Sequence, residues 1–174
     1  MAYPIEVIPD DTHVYRQVLP HERKVGKKKR RFPSEHHFEL RPDERGLSVH
    51  WDKYITVKKI YLLLALTHNS KGNFLNHTAF KVFRYPVKFL RSIQKIEGVI
   101  HTPNYYGDPS PIGKPNNRAH ADVVYENDIE IFVKLRDYCD EEYDYAHCEF
   151  DVNSINEKVE ELKKMLNDNE FHKK

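Results

Sequence analysis

Two His-x-Asp pairs, His50-Trp51-Asp52 and His120-Ala121-Asp122, have the residue types and spacing that suit acid–base chemistry. On a β-strand, residues two apart share a face, so each imidazole is expected beside a carboxylate that orients the ring and raises its basicity. A general base or a metal ligand needs that arrangement, and a structural hydrogen bond on a surface strand produces the same pattern. His147-Cys148-Glu149, with Cys139 upstream, gathers further donor atoms. Structural zinc normally shows paired ligands at short spacing, and here one half is missing, so no metal site is assigned. Cys139 and Cys148 read instead as isolated reduced thiols. Glycines 26, 46, 72, 98, 107 and 113 never come closer than six positions, so dinucleotide-binding and P-loop spacings are absent. No nucleophile elbow appears either, and no cofactor is assigned.

A second chemistry is electrostatic. Arg23, Lys24, Lys27, Lys28, Lys29, Arg30 and Arg31 place seven cations in nine positions. Such a run neutralises phosphates and gives sequence-independent, salt-sensitive binding to nucleic acid. Tyr105 and Tyr106 are suited to stack on unpaired bases. The chain as a whole carries only +1, but residues 1–120 carry +10 and residues 121–174 carry −9. Either a polyanion partner for the basic part or packing of the two regions against one another follows from that gradient.

The elements that must position these groups can be read from apolar periodicity and punctuation. Residues 12–18 alternate as a strand, and residues 23–33 are expected to be an exposed basic loop because like charges so close repel. A strand over 46–51 precedes a buried helix over 56–69, with Thr56 as its N-cap and Gly72 beyond its end. A strand over 79–85 leads to a helix that Pro86 opens and that runs to Glu97, with Gly98 closing it. A short strand at 99–101 is followed by a Pro/Asn-rich loop over 102–118, and loops that long in small domains are commonly functional. A strand over 119–125 leads to a helix opened by an Asn127/Glu130 capping box and ending near Tyr138. An amphipathic helix over 154–168 presents Ile155, Val159, Leu162 and Leu166 on one face, and Asn169 to Lys174 should fray.

The 174 residues, 39% hydrophobic, thus predict one α+β domain over 1–174. Its expected form is a mixed β-sheet of about five strands covered by three or four helices. The longest apolar run, Ile60 to Leu66, is too short to span a bilayer. The N-terminal residues lack signal-peptide features, so a cytoplasmic location without membrane contact is expected.

The order of several short motifs resembles a family of small uncharacterised bacterial proteins. These are Tyr15-Arg16, Pro33-Ser34 with Phe38, Gly46-Leu47-Ser48-Val49, His101-Thr102-Pro103, and Ala119-His120-Ala121-Asp122-Val123. The likeness covers roughly residues 11–125, departs at Glu35, where a second serine belongs, and is interrupted by the basic run. It implies a bacterial origin. An early Tyr-Arg followed by a Ser-bearing strand is also similar to the opening of ADP-ribosyltransferase-like enzymes. That resemblance implies Arg16 on a phosphate, Ser48 beside a ribose and His120 as an added polar group, with Glu130 or Glu149 as a late catalytic acid.

Two functions follow as expectations. The first is a binding or accessory module that contacts nucleic acid or a partner protein through residues 23–31 and the 102–118 loop. The alternative is an enzyme whose pocket gathers Arg16, Ser48 and His120 from separate strands.

Overall fold

The computed structural model describes residues 2–25 and 28–171. In chain order its strands are β1 (His13–Val18), β2 (His21–Val25), β3 (Lys28–Phe32), β4 (Gly46–Trp51), β5 (Lys81–Pro86), β6 (Ile96–His101), β7 (His120–Tyr125) and the two-residue β8 (His147–Cys148). Its helices are α1 (Val57–Ala65), α2 (Val87–Ser92), α3 (Ile129–Glu141), α4 (Tyr143–Ala146) and α5 (Asn156–Phe171). Six strands form one sheet in the order β6-β7-β4-β1-β5-β8, while β2 and β3 pair only with each other. Every pairing is antiparallel, so the α+β domain carries an antiparallel sheet of six strands where a mixed sheet of about five was expected.

Period-two alternation divides the sheet into two faces. Val14, Val18, Leu47, Val49, Trp51, Phe83, Tyr85, Val99, Ala121, Val123 and Tyr125 point to one core, which α2 and α3 close with Val87, Leu90, Ile131 and Leu135. Val82 points to the other face, where Ile60, Tyr61, Leu64 and Ala65 of α1 and Val159 of α5 form a second core. That second cover is partial. On β4 and β7, Ser48, His120 and Asp122 occupy the same face and are only half-buried.

Several expected boundaries move for identifiable reasons. Thr56 does cap α1, accepting from the Lys59 amide. The helix stops at Ala65 rather than reaching 69, because the Thr67 hydroxyl takes the Leu63 carbonyl at 2.7 Å and His68 turns its amide to the Gly113 carbonyl. The helix opened by Pro86 stops at Ser92 rather than Glu97. Lys95, at φ +73°, reverses the chain so that Ile96 starts β6. Asp128, not Asn127, caps α3, its carboxylate accepting from the Glu130 amide at 2.8 Å. Asn127 instead brackets the Leu40 backbone, accepting from its amide at 2.8 Å and donating to its carbonyl at 2.9 Å. α5 opens at Asn156 behind a short turn capped by Asp151, and its helical backbone extends to Phe171 through part of the stretch expected to fray.

The basic stretch is the largest correction to the fold. Residues 21–25 and 28–32 are a two-stranded antiparallel hairpin, not an irregular loop. Its register sets Arg23 opposite Arg30 and Lys24 opposite Lys29. Lys27 lies outside the described residues, as do the side chains of the other six cations. The hairpin is rooted by Phe32, which is buried and packs against Tyr143 at 5.0 Å between ring centroids.

Gly46 shows how tightly β4 meets β7. A Cβ there would lie 2.9 Å from the Val123 carbonyl oxygen and 3.0 Å from the Asp122 Cβ, both fixed by the strand ladder. Gly46→Ala should therefore lower stability by about 1–3 kcal/mol through forced strand displacement. Urea denaturation of the two proteins checks it, and an unchanged midpoint would mean that the ladder yields there.

Candidate functional site

The three residues singled out for a common pocket lie on three neighbouring strands, Arg16 on β1, Ser48 on β4 and His120 on β7. Ser48 Oγ and His120 Nε2 are 3.2 Å apart on the shared face. Arg16 arrives from the other side. It has the parity of Val14 and Val18, and its Nη1 donates to the Ser48 carbonyl at 2.8 Å while Nη2 donates to the His37 carbonyl at 3.1 Å. The sheet permits this because β1 and β4 pair at only two positions, Val14 with Trp51 and Tyr15 with His50, and then part. The guanidinium occupies the parting. Burial there lowers the pKa of Arg16, and its Nε is enclosed without a partner.

The two His-x-Asp pairs resolve differently. Asp122 reaches His120 through Thr102, whose hydroxyl donates to Asp122 Oδ2 at 2.7 Å and lies 3.0 Å from His120 Nδ1. His120 Nδ1 also lies 2.8 Å from the Thr102 carbonyl oxygen. Asp52, by contrast, turns from His50 to His13, accepting from its amide at 3.2 Å and standing 3.5 Å from its Nδ1. His50 accepts at Nδ1 from the Asn117 side-chain amide, 3.0 Å away. His50 faces His120 across the β4–β7 ladder. Burial first, then the neighbouring His120 and Arg16, pushes the His50 pKa down to about 3, so it stays a neutral polar group at physiological pH.

Over His50 opens a hollow of about 340 Å³. Its floor is Gln17 and His50, and one wall is apolar (Leu63, Leu64 and Leu75). The rest comes from Thr67, His68 and the long loop: Asn104, Tyr106, Gly113, Lys114, Pro115 and Asn117. No aspartate or glutamate lines it. The loop is held in place by reciprocal backbone bonds between Asn104 and Asn117 at 2.9 Å, and by Asn116, which bonds the Tyr106 amide and the Gly107 carbonyl at 2.7 Å each. Gly113, at φ +74°, leaves room for the His68 ring, whose Nδ1 would stand 2.1 Å from any Cβ there.

A second hollow of about 460 Å³ shares Gln17, Leu64 and Leu75 with the first. It runs past Arg16, His36, His37 and Arg41 to Leu19, two residues before the hairpin. Two acids line it, Glu39 at 3.7 Å from the His36 ring and Glu44 at 3.9 Å from the Arg41 guanidinium. Among the described side chains, Arg16 contacts carbonyl oxygens and no carboxylate. The two hollows make a trough from the 102–118 loop to the root of the cationic hairpin.

Sequence reasoning pointed to the loop but not to the side chains that matter in it. Tyr106 lines the hollow, whereas Tyr105 packs edge-on against Tyr3 at 5.7 Å. Gln17, His68, Asn104, Lys114 and Asn117 carry no motif, and only their meeting in space reveals them. Neither Glu130, which pairs with Lys95, nor Glu149, which lies with Lys81 and His147, lines the trough. The ADP-ribosyltransferase-like resemblance therefore lacks its acid here. Cys139 is buried against the Tyr85 hydroxyl with its pKa pushed up to about 12 by burial, and burial raises Cys148 to about 11. Both thiols are inert at neutral pH. Among the described residues, no three His, Cys, Asp or Glu side chains group to hold a metal ion, and no helix is long and apolar enough to cross a membrane.

Comparison with known proteins gives no match: no family model, no curated protein and no solved structure matches this chain.

The neutral state of His50 has a consequence for stability. Its folded pKa is depressed from 6.5 to about 3, so folding excludes a proton that the unfolded chain binds once pH falls below 6.5. Stability is then unaffected by His50 at pH 7 and declines between pH 6.5 and 3, by about 1.4 kcal/mol per unit. His50→Gln, which keeps an acceptor for Asn117, should lose about 2 kcal/mol less than the parent between pH 7 and pH 5. Urea midpoints at the two pH values measure the difference, and parallel losses would show that His50 takes up a proton in place.

Proposed function

We propose that the protein binds nucleic acid, holding one nucleotide of a single strand in the trough while flanking phosphates meet the cationic hairpin. The observation that carries this reading is the lining of the first hollow. Among the described residues it gathers the polar side chains of Gln17, Asn104, Asn117, His68 and Lys114, the ring of Tyr106 and a leucine wall, with no carboxylate. An anionic ligand with a flat ring matches such a lining, and a cationic one does not. Volume agrees, since about 340 Å³ admits a single nucleotide-sized group and not a duplex.

Electrostatics extends the argument. Arg16 brings to the second hollow a cation whose hydrogen bonds go to backbone carbonyls, and the trough ends where the hairpin begins. The cross-strand register of the hairpin opposes cations to cations, an arrangement that costs stability in isolation and that a polyanion relieves. A protein partner would have to supply the same run of negative charge, and the nucleotide-sized hollow favours the nucleic acid. A cytoplasmic setting fits this reading, since it holds nucleic acid and keeps thiols such as Cys148 reduced.

Binding should be salt-sensitive and prefer single strands. With about five phosphate contacts, affinity for a labelled single-stranded oligonucleotide should fall on the order of 100-fold between 50 and 200 mM salt. Fluorescence anisotropy checks this. Replacing Lys28, Lys29, Arg30 and Arg31 by Gln should flatten the slope, and Lys114→Ala should weaken binding several-fold. No binding at low salt, or equal binding of duplex and single strand, would refute the trough reading.

Stacking is separable from charge. Tyr106→Ala should cost about 1–3 kcal/mol of binding free energy at every salt concentration while leaving the salt slope intact. A loss that vanishes at high salt would assign Tyr106 a different role.

A further inference from the structure

Ser48 and His120 are arranged as more than neighbours. The Thr102 carbonyl oxygen, 2.8 Å from His120 Nδ1, can only accept a hydrogen bond, so it assigns the proton to Nδ1. The Nε2 lone pair then faces the Ser48 hydroxyl at 3.2 Å. Behind the ring, the Thr102 hydroxyl connects Nδ1 to the Asp122 carboxylate at 3.0 and 2.7 Å. A charge that develops on the imidazole therefore has a fixed carboxylate to offset it. Ser48 is held from its other side by Arg16, which grips its carbonyl oxygen.

The pair lies beside the trough, one neighbour removed from its lining. His50 lines the first hollow, His120 faces it across the ladder, and Ser48 lies two residues earlier on the same face of β4. Cross-strand neighbours of this kind stand about 5 Å apart. Ser48 and His120 are half-buried, open enough to meet a bound strand.

We propose that Ser48 and His120 form a nucleophile–base pair that opens a phosphodiester bond of the strand held in the trough. This rests on the nucleic-acid reading above. The Ser48 hydroxyl oxygen attacks phosphorus as its proton passes to His120 Nε2. An Oγ–P bond forms, and the bond from phosphorus to one bridging oxygen breaks. The leaving oxygen keeps the electron pair and takes the proton from His120, ending as a free hydroxyl. One strand end is left esterified to Ser48, and the oxidation state of every atom is unchanged. Attack by water or a strand hydroxyl, with His120 as base again, releases it. Thr102 and Asp122 are positioning residues in this scheme, and Arg16 fixes the strand that carries the nucleophile.

The test uses the full chain and a single-stranded DNA oligonucleotide labelled at either end. Denaturing gels read two products, a shortened oligonucleotide and label joined to the protein, while anisotropy reads binding in the same samples. The parent protein should give both products, with mass spectrometry placing the adduct on Ser48. Ser48→Ala should abolish them, and His120→Gln should slow them by at least 100-fold, the usual worth of a positioned base. Anisotropy of each variant separates loss of cleavage from loss of binding. Should Ser48→Ala fail to fold, His120→Gln and Ser48→Cys, which keep the polar contact, decide the matter. Binding without cleavage or adduct in the parent, or cleavage that survives Ser48→Ala, would overturn the pair and leave the binding reading standing. Loss of binding itself would remove both.

Discussion

The half-buried guanidinium of Arg16 shapes this protein's open face. β1 and β4 are central strands of the sheet, yet their ladder ends after two pairs of residues. Parted strands in a sheet interior leave backbone acceptors unmet, and a buried unmet carbonyl costs about 1–3 kcal/mol. The Arg16 guanidinium answers the Ser48 and His37 carbonyls together, so the parting is bridged by a side chain instead of being closed by the ladder. Charge-assisted bonds of this kind are stronger than neutral ones and offset part of the desolvation of the guanidinium. The lowered pKa of Arg16 records the remainder of that cost. Without the parting, the two hollows that meet at Gln17 would have no floor.

The long loop completes the site by being ordered, not by being mobile. Four prolines exclude regular structure, but Asn104, Asn116 and Asn117 replace a ladder with side-chain and backbone bonds of 2.7–2.9 Å along the same segment. Asn117 does two further things. It donates to His50 Nδ1 and accepts from the Ala119 amide, tying the loop's end to the strand that carries His120. The same residue thus sets the tautomer of one histidine and the start of the strand bearing the other. Loop and sheet are therefore tied together at Asn117.

What the sequence displays depends on whether local chemistry or distant contact decides each feature. Thr56 caps α1 as expected because capping is local, and the strands over 13–18 and 46–51 appear where alternation placed them. The basic hairpin was hidden because β-pairing alternates side chains, and seven cations of one kind show no alternation to read. β8 is two residues long, too short to carry any period. Asn127 looked like a cap and proved to be a bracket for Leu40, 87 residues away, a role no local pattern encodes. Arg16, Ser48 and His120 were grouped from the order of short motifs, and side-chain contact joins only Ser48 and His120. That Arg16 serves the opposite face was not legible, because its partner is the Ser48 backbone and backbone atoms leave no mark in sequence.

The charge gradient had two explanations, and the described ion pairs bear on the choice. If the acidic last third neutralised the basic remainder, bridges should cross between them. Lys95 does cross, to Asp128 and Glu130. Arg136 crosses the other way, to Glu35, while also pairing with Asp137, and Lys158 with Glu161 and Lys163 with Glu160 stay within the acidic part. The cations nearest the trough behave differently. Arg16 meets carbonyls, and Lys114 stands in a lining without carboxylates. Ion pairing is thus plentiful elsewhere, as in Glu6 with Lys53 and Arg118 and Asp10 with Arg91, and sparse at the first hollow. On the proposed reading, cations left without a carboxylate partner there supply positive potential for a ligand that brings its own negative charge. The same potential would stabilise charge gathering on a phosphorus centre beside Ser48, so binding and bond cleavage would draw on one electrostatic arrangement.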